Sequence, residues 1–206
     1  TNPDCPAKKI KSFALFVSRD ALNIEGLSEA TLEKFISRGY IHTFADIFHL
    51  DQYKEEIQKM EGFGEKSYKK LTESIEKART TTLPRVIYSL GIAGIGLANA
   101  KVICRELKYD VESLLKVSEE ELNEIQGVGE VLAKAFVGYF ADAKHVENLN
   151  FVEKCLDKSV EQYFVKDFWK DHKKMYQNRP IYWLFASKKG AFQCIAYMHR
   201  MNAYTA

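Results

Sequence analysis

Met60-Glu61-Gly62-Phe63-Gly64-Glu65-Lys66-Ser67 decides how this chain is read. An apolar residue, a spacer, a glycine, an apolar residue and a second glycine stand directly before a run with helical spacing. The element recurs as Ile92-Ala93-Gly94-Ile95-Gly96 and Ile125-Gln126-Gly127-Val128-Gly129. It also occurs as Ile24-Glu25-Gly26-Leu27-Ser28, where serine replaces the second glycine. The first glycines lie 36, 32 and 33 residues apart, a period that marks a repeat architecture. Helices are expected over Ala30–Ser37, Lys66–Lys77, Ala98–Leu107 and Val131–Phe140. Ser118-Glu119-Glu120-Glu121 fits a capping box, so another helix should start there. Each unit therefore reads as helix, glycine hairpin, helix.

The chemistry of that unit points to phosphate. Paired glycines allow a sharp turn, with positive φ expected at positions such as Gly64 and Gly129. Leu27, Phe63, Ile95 and Val128 should face inward and pin the turn. The helix that follows presents unpaired N–H groups and its positive dipole end, an anion site that needs no charged side chain. The candidate contacts are Gly26, Leu27, Ser28 and Lys34 in the first unit, and Gly62, Phe63, Gly64, Lys66 and Lys69 in the second. The third supplies Gly94, Ile95, Gly96, Asn99 and Lys101, and the fourth Gly127, Val128, Gly129 and Lys134. A competing reading treats the glycines as connectors of a helical scaffold with no ligand. Four copies in register favour nucleic acid.

Charge and composition sharpen this. The 206 residues carry 30 Lys and Arg against 28 Asp and Glu, which excludes a polycationic tail that holds nucleic acid by bulk charge. Hydrophobic residues are 46% and charged residues 28%, a globular mixture. No apolar run is long enough to span a membrane, and no signal peptide is expected at the N-terminus. Cys5, Cys104, Cys155 and Cys194 are widely spaced, which fits a reducing cytoplasm and no disulfide scaffold. The balance changes near Ser159–Gln162. Residues 1–160 hold 22 basic against 25 acidic side chains, and residues 161–206 hold 8 against 3. The second part also contains 11 of the 26 aromatic residues, including Trp169 and Trp183.

Residues 1–160 resemble the tandem helix-hairpin-helix domain of bacterial NAD-dependent DNA ligases. Asn2-Pro3-Asp4-Cys5-Pro6-Ala7 looks like the exit of that family's zinc module, with Cys5 as a lone remnant ligand. Phe16-Val17-Ser18-Arg19-Asp20-Ala21-Leu22-Asn23-Ile24 looks like its entry into the first hairpin, and Glu61–Ser67 and Leu90-Gly91-Ile92 fit as well. The resemblance implies a mainly α fold with four hairpin units. It also implies non-sequence-specific binding of double-stranded or nicked DNA through backbone phosphates. The family joins nicks by moving AMP from NAD to a lysine in Lys-x-Asp-Gly and then to the DNA 5′-phosphate. Lys108-Tyr109-Asp110-Val111 is the nearest string here and its valine breaks the motif, so no catalytic residue, NAD site or metal site is expected in this chain. The expected organisation is a zinc-module remnant and linker over 1–20, the hairpin domain over 21–160 and an aromatic tail over 161–206. Bacterial cytoplasm is the expected location.

The tail reads as a helix over Tyr163–Lys170, a strand over Ile181–Phe185, a turn at Ser187–Gly190 and a second strand over Ala191–Arg200. Asn178–Phe185, Gly190-Ala191-Phe192 and Tyr197–Arg200 resemble a segment of adenine-specific DNA methyltransferases of the phage-exclusion and restriction type. The tail lacks that family's Asn/Asp-Pro-Pro-Tyr/Phe motif, so methyl transfer is not expected. His199 beside Arg200 is read as a solvated strand end and the aromatics as core. The first strand is apolar on both faces and calls for a cover. The cover would be Phe136, Phe140, Leu149 and Phe151 of the last helical unit, or a second copy of the chain. A methyltransferase partner through residues 161–206, or a protein-interaction scaffold, is the alternative function.

Overall fold

The computed structural model describes residues 6–156 and, as backbone, two strands further on. The chain divides into two compact units, Thr1–Val160 and Glu161–Ala206. In the second unit, β1 (Tyr182–Lys188) pairs antiparallel with β2 (Ala191–Tyr197), placing Leu184 opposite Ile195 and Phe185 opposite Cys194. Cys5, the helix expected over Tyr163–Lys170 and the pair His199 and Arg200 lie outside the described residues.

The described part of the first unit is helical throughout. It runs α1 (Pro6–Val17), α2 (Glu29–Ser37), a 3₁₀ segment (Phe44–Tyr53), α3 (Lys54–Gln58), α4 (Glu65–Ala78) and α5 (Leu83–Ser89). It continues with α6 (Leu97–Glu106), α7 (Val111–Lys116), α8 (Glu119–Asn123), α9 (Glu130–Phe140) and α10 (Ala143–Cys155). The helices after the hairpins begin one residue before the expected starts, because Ser28, Gly64, Gly96 and Gly129 are their N-caps. Ser118 caps α8 as expected: its hydroxyl accepts from Glu121 N–H, and the Glu121 carboxylate accepts from Ser118 N–H at 2.9 Å.

Counting from those caps makes the repeat visible residue by residue. The fourth position is Leu32, Tyr68, Ala100 or Ala133, and the seventh is Phe35, Leu71, Ile103 or Phe136; all eight are buried. That spacing puts both on one helical face. Burial of a leucine, isoleucine or phenylalanine contributes about 1.5–3 kcal/mol, so the seventh position, Phe35, Leu71, Ile103 or Phe136, anchors every unit. α2 then stops at Gly39, which has φ 74°, while Tyr40 N–H returns to Phe35 O at 2.9 Å. That closure satisfies helix-end carbonyls.

The units associate in pairs. Hairpin 1 lies on α4: Glu25 N–H donates to Ser74 Oγ at 2.8 Å, and a Cβ at Gly26 would meet Leu71 Cβ at 3.6 Å. Hairpin 3 lies on α9, where a Cβ at Gly94 would come within 2.8 Å of Leu132 Cδ2. The hairpins of the first and third units thus pack on the hairpin helices of the second and fourth, α4 and α9. Between the pairs, α5 packs on α1 and α10 packs on the 3₁₀ segment.

Candidate nucleic-acid interface

Each hairpin is a tight turn with a helix start behind it. Phe63 N–H donates to Met60 O at 2.9 Å, Ile95 N–H to Ile92 O at 3.0 Å, and Val128 N–H to Ile125 O at 2.9 Å. The third residue of each turn is the first glycine, with φ 81° at Gly62, 76° at Gly94 and 91° at Gly127. Glu61, Ala93 and Gln126 before them are not in the positive-φ region. This is the type II turn, which demands positive φ at its third residue. Gly26 has φ 92° in the corresponding place.

The second glycines behave differently from the expectation. Gly64, Gly96 and Gly129 have φ of −85°, −78° and −88° with extended ψ, a conformation open to any residue. Ser28 adopts it with φ −68°. Backbone strain is therefore not what selects glycine there. A Cβ at Gly64, Gly96 or Gly129 would meet no protein atom within 4 Å, and none of these three caps supplies a side-chain acceptor. No side chain therefore caps the first N–H groups of α4, α6 and α9, although Leu132 N–H, the third of α9, donates to Gly129 O at 2.9 Å. Leu27, Ile95 and Val128 are buried beneath the turns as expected, and Phe63 is half-buried against the Phe35 ring at 5.8 Å.

Hairpin 1 departs from the other three. Ser28 Oγ accepts from Thr31 N–H at 3.2 Å, so the start of α2 is capped by its own chain. The fifth residue after the cap is Lys69, Lys101 or Lys134 in the later units and Glu33 in the first. Lys34 sits in the last turn of α2, a position matched by Lys70 in the second unit, which the sequence reading passed over.

The remaining side chains also sort by unit. Lys66, Lys69 and Lys101 are exposed. Lys134 is exposed but donates to Glu130 Oε1 at 2.6 Å. That hydrogen bond, and then the carboxylate's charge, holds the ammonium pKa above its usual value and the Glu130 pKa below its own. Asn99 turns back on its own hairpin, where its Nδ2 donates to Gly94 O at 3.2 Å. α6 is the hairpin helix with no acidic residue in its first turn, whereas Glu29, Glu65 and Glu130 open the other three. Val131, two residues past Gly129, is 80% exposed beside the open N–H groups. No group of three or more His, Cys, Asp and Glu among the described residues is placed to hold a metal ion, so no metal chemistry is assigned to them.

Residues 18–77 match the family model for a SAM-like helix-hairpin-helix tandem, and residues 85–149 match that for the helix-hairpin-helix motif. The four units are helix-hairpin-helix motifs. The two matched spans coincide with the two structural pairs. The helix-hairpin-helix array is similar to part of the DNA ligase of Lachnoclostridium phytofermentans, with 60% identity over 139 residues, 68% of this chain and 21% of that protein. The DNA ligase of Ruminiclostridium cellulolyticum is 46% identical over 194 residues, covering 82% of this chain and 29% of its own length. That coverage exceeds the share of the chain that residues 1–160 make up, so the likeness runs past the change in composition. The DNA ligase of Fusobacterium nucleatum is 38% identical over 144 residues, 70% of this chain and 20% of that protein. The chain thus spans from a fifth to under a third of the length of these curated relatives.

Proposed function

We propose that this helix-hairpin-helix array is the DNA-holding segment of an NAD-dependent DNA ligase. It grips duplex phosphates on both sides of a nick and does not read sequence. The observation that carries this reading is the set of three helix starts, at Gly64, Gly96 and Gly129, with no side-chain cap and with no atom within 4 Å of where a Cβ on the capping glycine would stand. An anion fits there by backbone alone, which lets a segment richer in acids than bases meet DNA. Phosphate contacts position a protein on DNA without specifying bases. On this reading joining chemistry belongs to other parts of a ligase, and the segment works in the bacterial cytoplasm; no helix among the described residues is long and apolar enough to cross a membrane. For residues 161–206, whose 8 basic side chains face only 3 acidic ones, the proposal is a partner-facing role toward a second copy of the chain or a DNA methyltransferase.

A fluorescence anisotropy titration of nicked and intact duplexes over a salt series tests the central reading. Engagement of about 4–8 phosphates gives a log–log slope of roughly −4 to −7. A flat salt response, or no binding at low salt, rejects it.

Hairpin 1 should contribute least. Ser28→Ala removes the α2 cap and should cost about 0.5–2 kcal/mol in thermal or chemical denaturation. Its effect on duplex affinity should stay below about twofold, because hairpin 1 already has one helix-start N–H taken by Ser28 and carries Glu33 where the later units carry a lysine. A binding loss larger than that of Gly96→Val would invert the ranking of the hairpins.

A further inference from the structure

Two arginines on either side of the connection between the pairs reach across it in opposite directions. Arg79 caps the end of α4, in the first pair. Its Nη1 donates to Cys155 O at 2.7 Å, at the end of α10, and its Nη2 donates to Phe48 O at 2.8 Å, in the 3₁₀ segment. Nε is held by Glu76 Oε1 at 2.8 Å, and the guanidinium lies 5.4 Å from the centre of the Phe48 ring. Arg85 belongs to α5, in the second pair. Its Nε donates to Ala21 O at 2.6 Å and its Nη2 to Arg19 O, both in the turn that leads into hairpin 1. One arginine thus ties the last helix to the first pair, and the other ties the first hairpin's entry to the second pair.

We infer that Arg79 and Arg85 are positioning residues that fix the two hairpin pairs at one relative orientation, so that their phosphate sites act on a duplex as a single preset grip. The planar fork of arginine suits this task, since it holds two carbonyls at once from a rigid group. The acceptors are main-chain carbonyls of three separate elements, so the bonds set backbone positions rather than pair surface charges. The surroundings agree. Cys155 is buried between α10 and the 3₁₀ segment, with Sγ 3.4 Å from His49 Nε2. Burial raises its thiol pKa. On the Arg85 side, a Cβ at Gly91 would lie 3.1 Å from Leu15 Cδ2, so the turn after α5 sits against this α1 side chain. The four residues from Arg79 to Thr82 that join α4 to α5 do not fix an angle alone. Two binding halves on one rigid body gain affinity over independent halves, because the second contact becomes intramolecular at a set geometry.

This inference rests on the DNA-binding reading, and the test separates the two. Arg79→Lys and Arg85→Lys keep the charges and remove the forks, so lost affinity cannot be assigned to a lost cation. Backbone residual dipolar couplings of the full chain should fit one alignment tensor over residues 6–156 in the wild type. In the double variant they should need two, one for each pair, while the chemical shifts of the hairpins stay in place. Duplex affinity should fall more than about tenfold, with the salt slope shrinking toward half its wild-type value. If the double variant does not fold, the two single variants give the same readouts. A single tensor in the variants overturns the inference, and so do two tensors with affinity and slope unchanged. A wild type that fails to bind DNA sinks the proposed function, while the tensors still decide whether the arginines fix the pairs.

Discussion

The triple variant Gly64→Val/Gly96→Val/Gly129→Val keeps its helical circular dichroism and loses more than about hundredfold in duplex affinity at low salt. The three positions are extended and face open space, so valine adds neither strain nor a clash. Valine is a poorer N-cap than glycine, but it also lowers the entropy of the unfolded chain. The two effects oppose each other, and the net change should stay within about 1 kcal/mol per site. Binding has no such compensation. The valine methyl groups occupy the volume in which a phosphate oxygen must approach the N–H groups. Hydrogen bonds to a charged acceptor contribute about 1.5–3 kcal/mol each, so losing one per hairpin already exceeds a factor of one hundred. An affinity loss below about threefold, with the fold intact, would show that the glycine caps do not carry the contact.

The repeat was legible because its signals are local. The hairpin motif before a run with helical spacing located α2, α4, α6 and α9 to within one residue. The capping box at Ser118 is equally local. The division of labour within each hairpin was not legible. The sequence shows two glycines, while only the backbone shows that Gly62 needs its left-handed φ and Gly64 needs an empty approach. The lysines read as uniform cations until the caps fix their register. Then Glu33 turns out to stand in the place of Lys69, and Lys134 to be held by Glu130. Arg79 and Arg85 look like ordinary surface bases in the sequence. Their acceptors, Cys155 O and Ala21 O, lie 76 and 64 residues away, and no periodicity encodes such a contact. Of the four residues expected to cover the tail's first strand, Phe136, Phe140 and Leu149 are buried and Phe151 is 41% exposed.

Gly94→Val should be the most destabilising single change in the hairpins. The residue sits at φ 76°, where a side chain costs about 1–2 kcal/mol and a β-branched one more. Its Cβ would also stand 2.8 Å from Leu132 Cδ2, so the half-buried Leu132 side chain must swing aside. Moving a side chain off its preferred rotamer costs about 0.5–1.5 kcal/mol. The sum, about 2–3 kcal/mol, should lower Tm by roughly 8 °C. Gly62→Val shares the strain, with φ 81°, but would meet no atom within 4 Å, so only the first contribution applies. Gly96→Val, two residues beyond Gly94, has neither and should melt within about 3 °C of the wild type. Yet Gly96→Val should bind DNA least well of the three when each is assayed well below its Tm, because its side chain stands before the open start of α6. Within hairpin 3, Gly94 and Gly96 would then be ordered oppositely in stability and in affinity. If both fall together in the order Gly94, Gly62, Gly96, the hairpin contributes to DNA binding only by being folded, and the open N–H groups are not the contact.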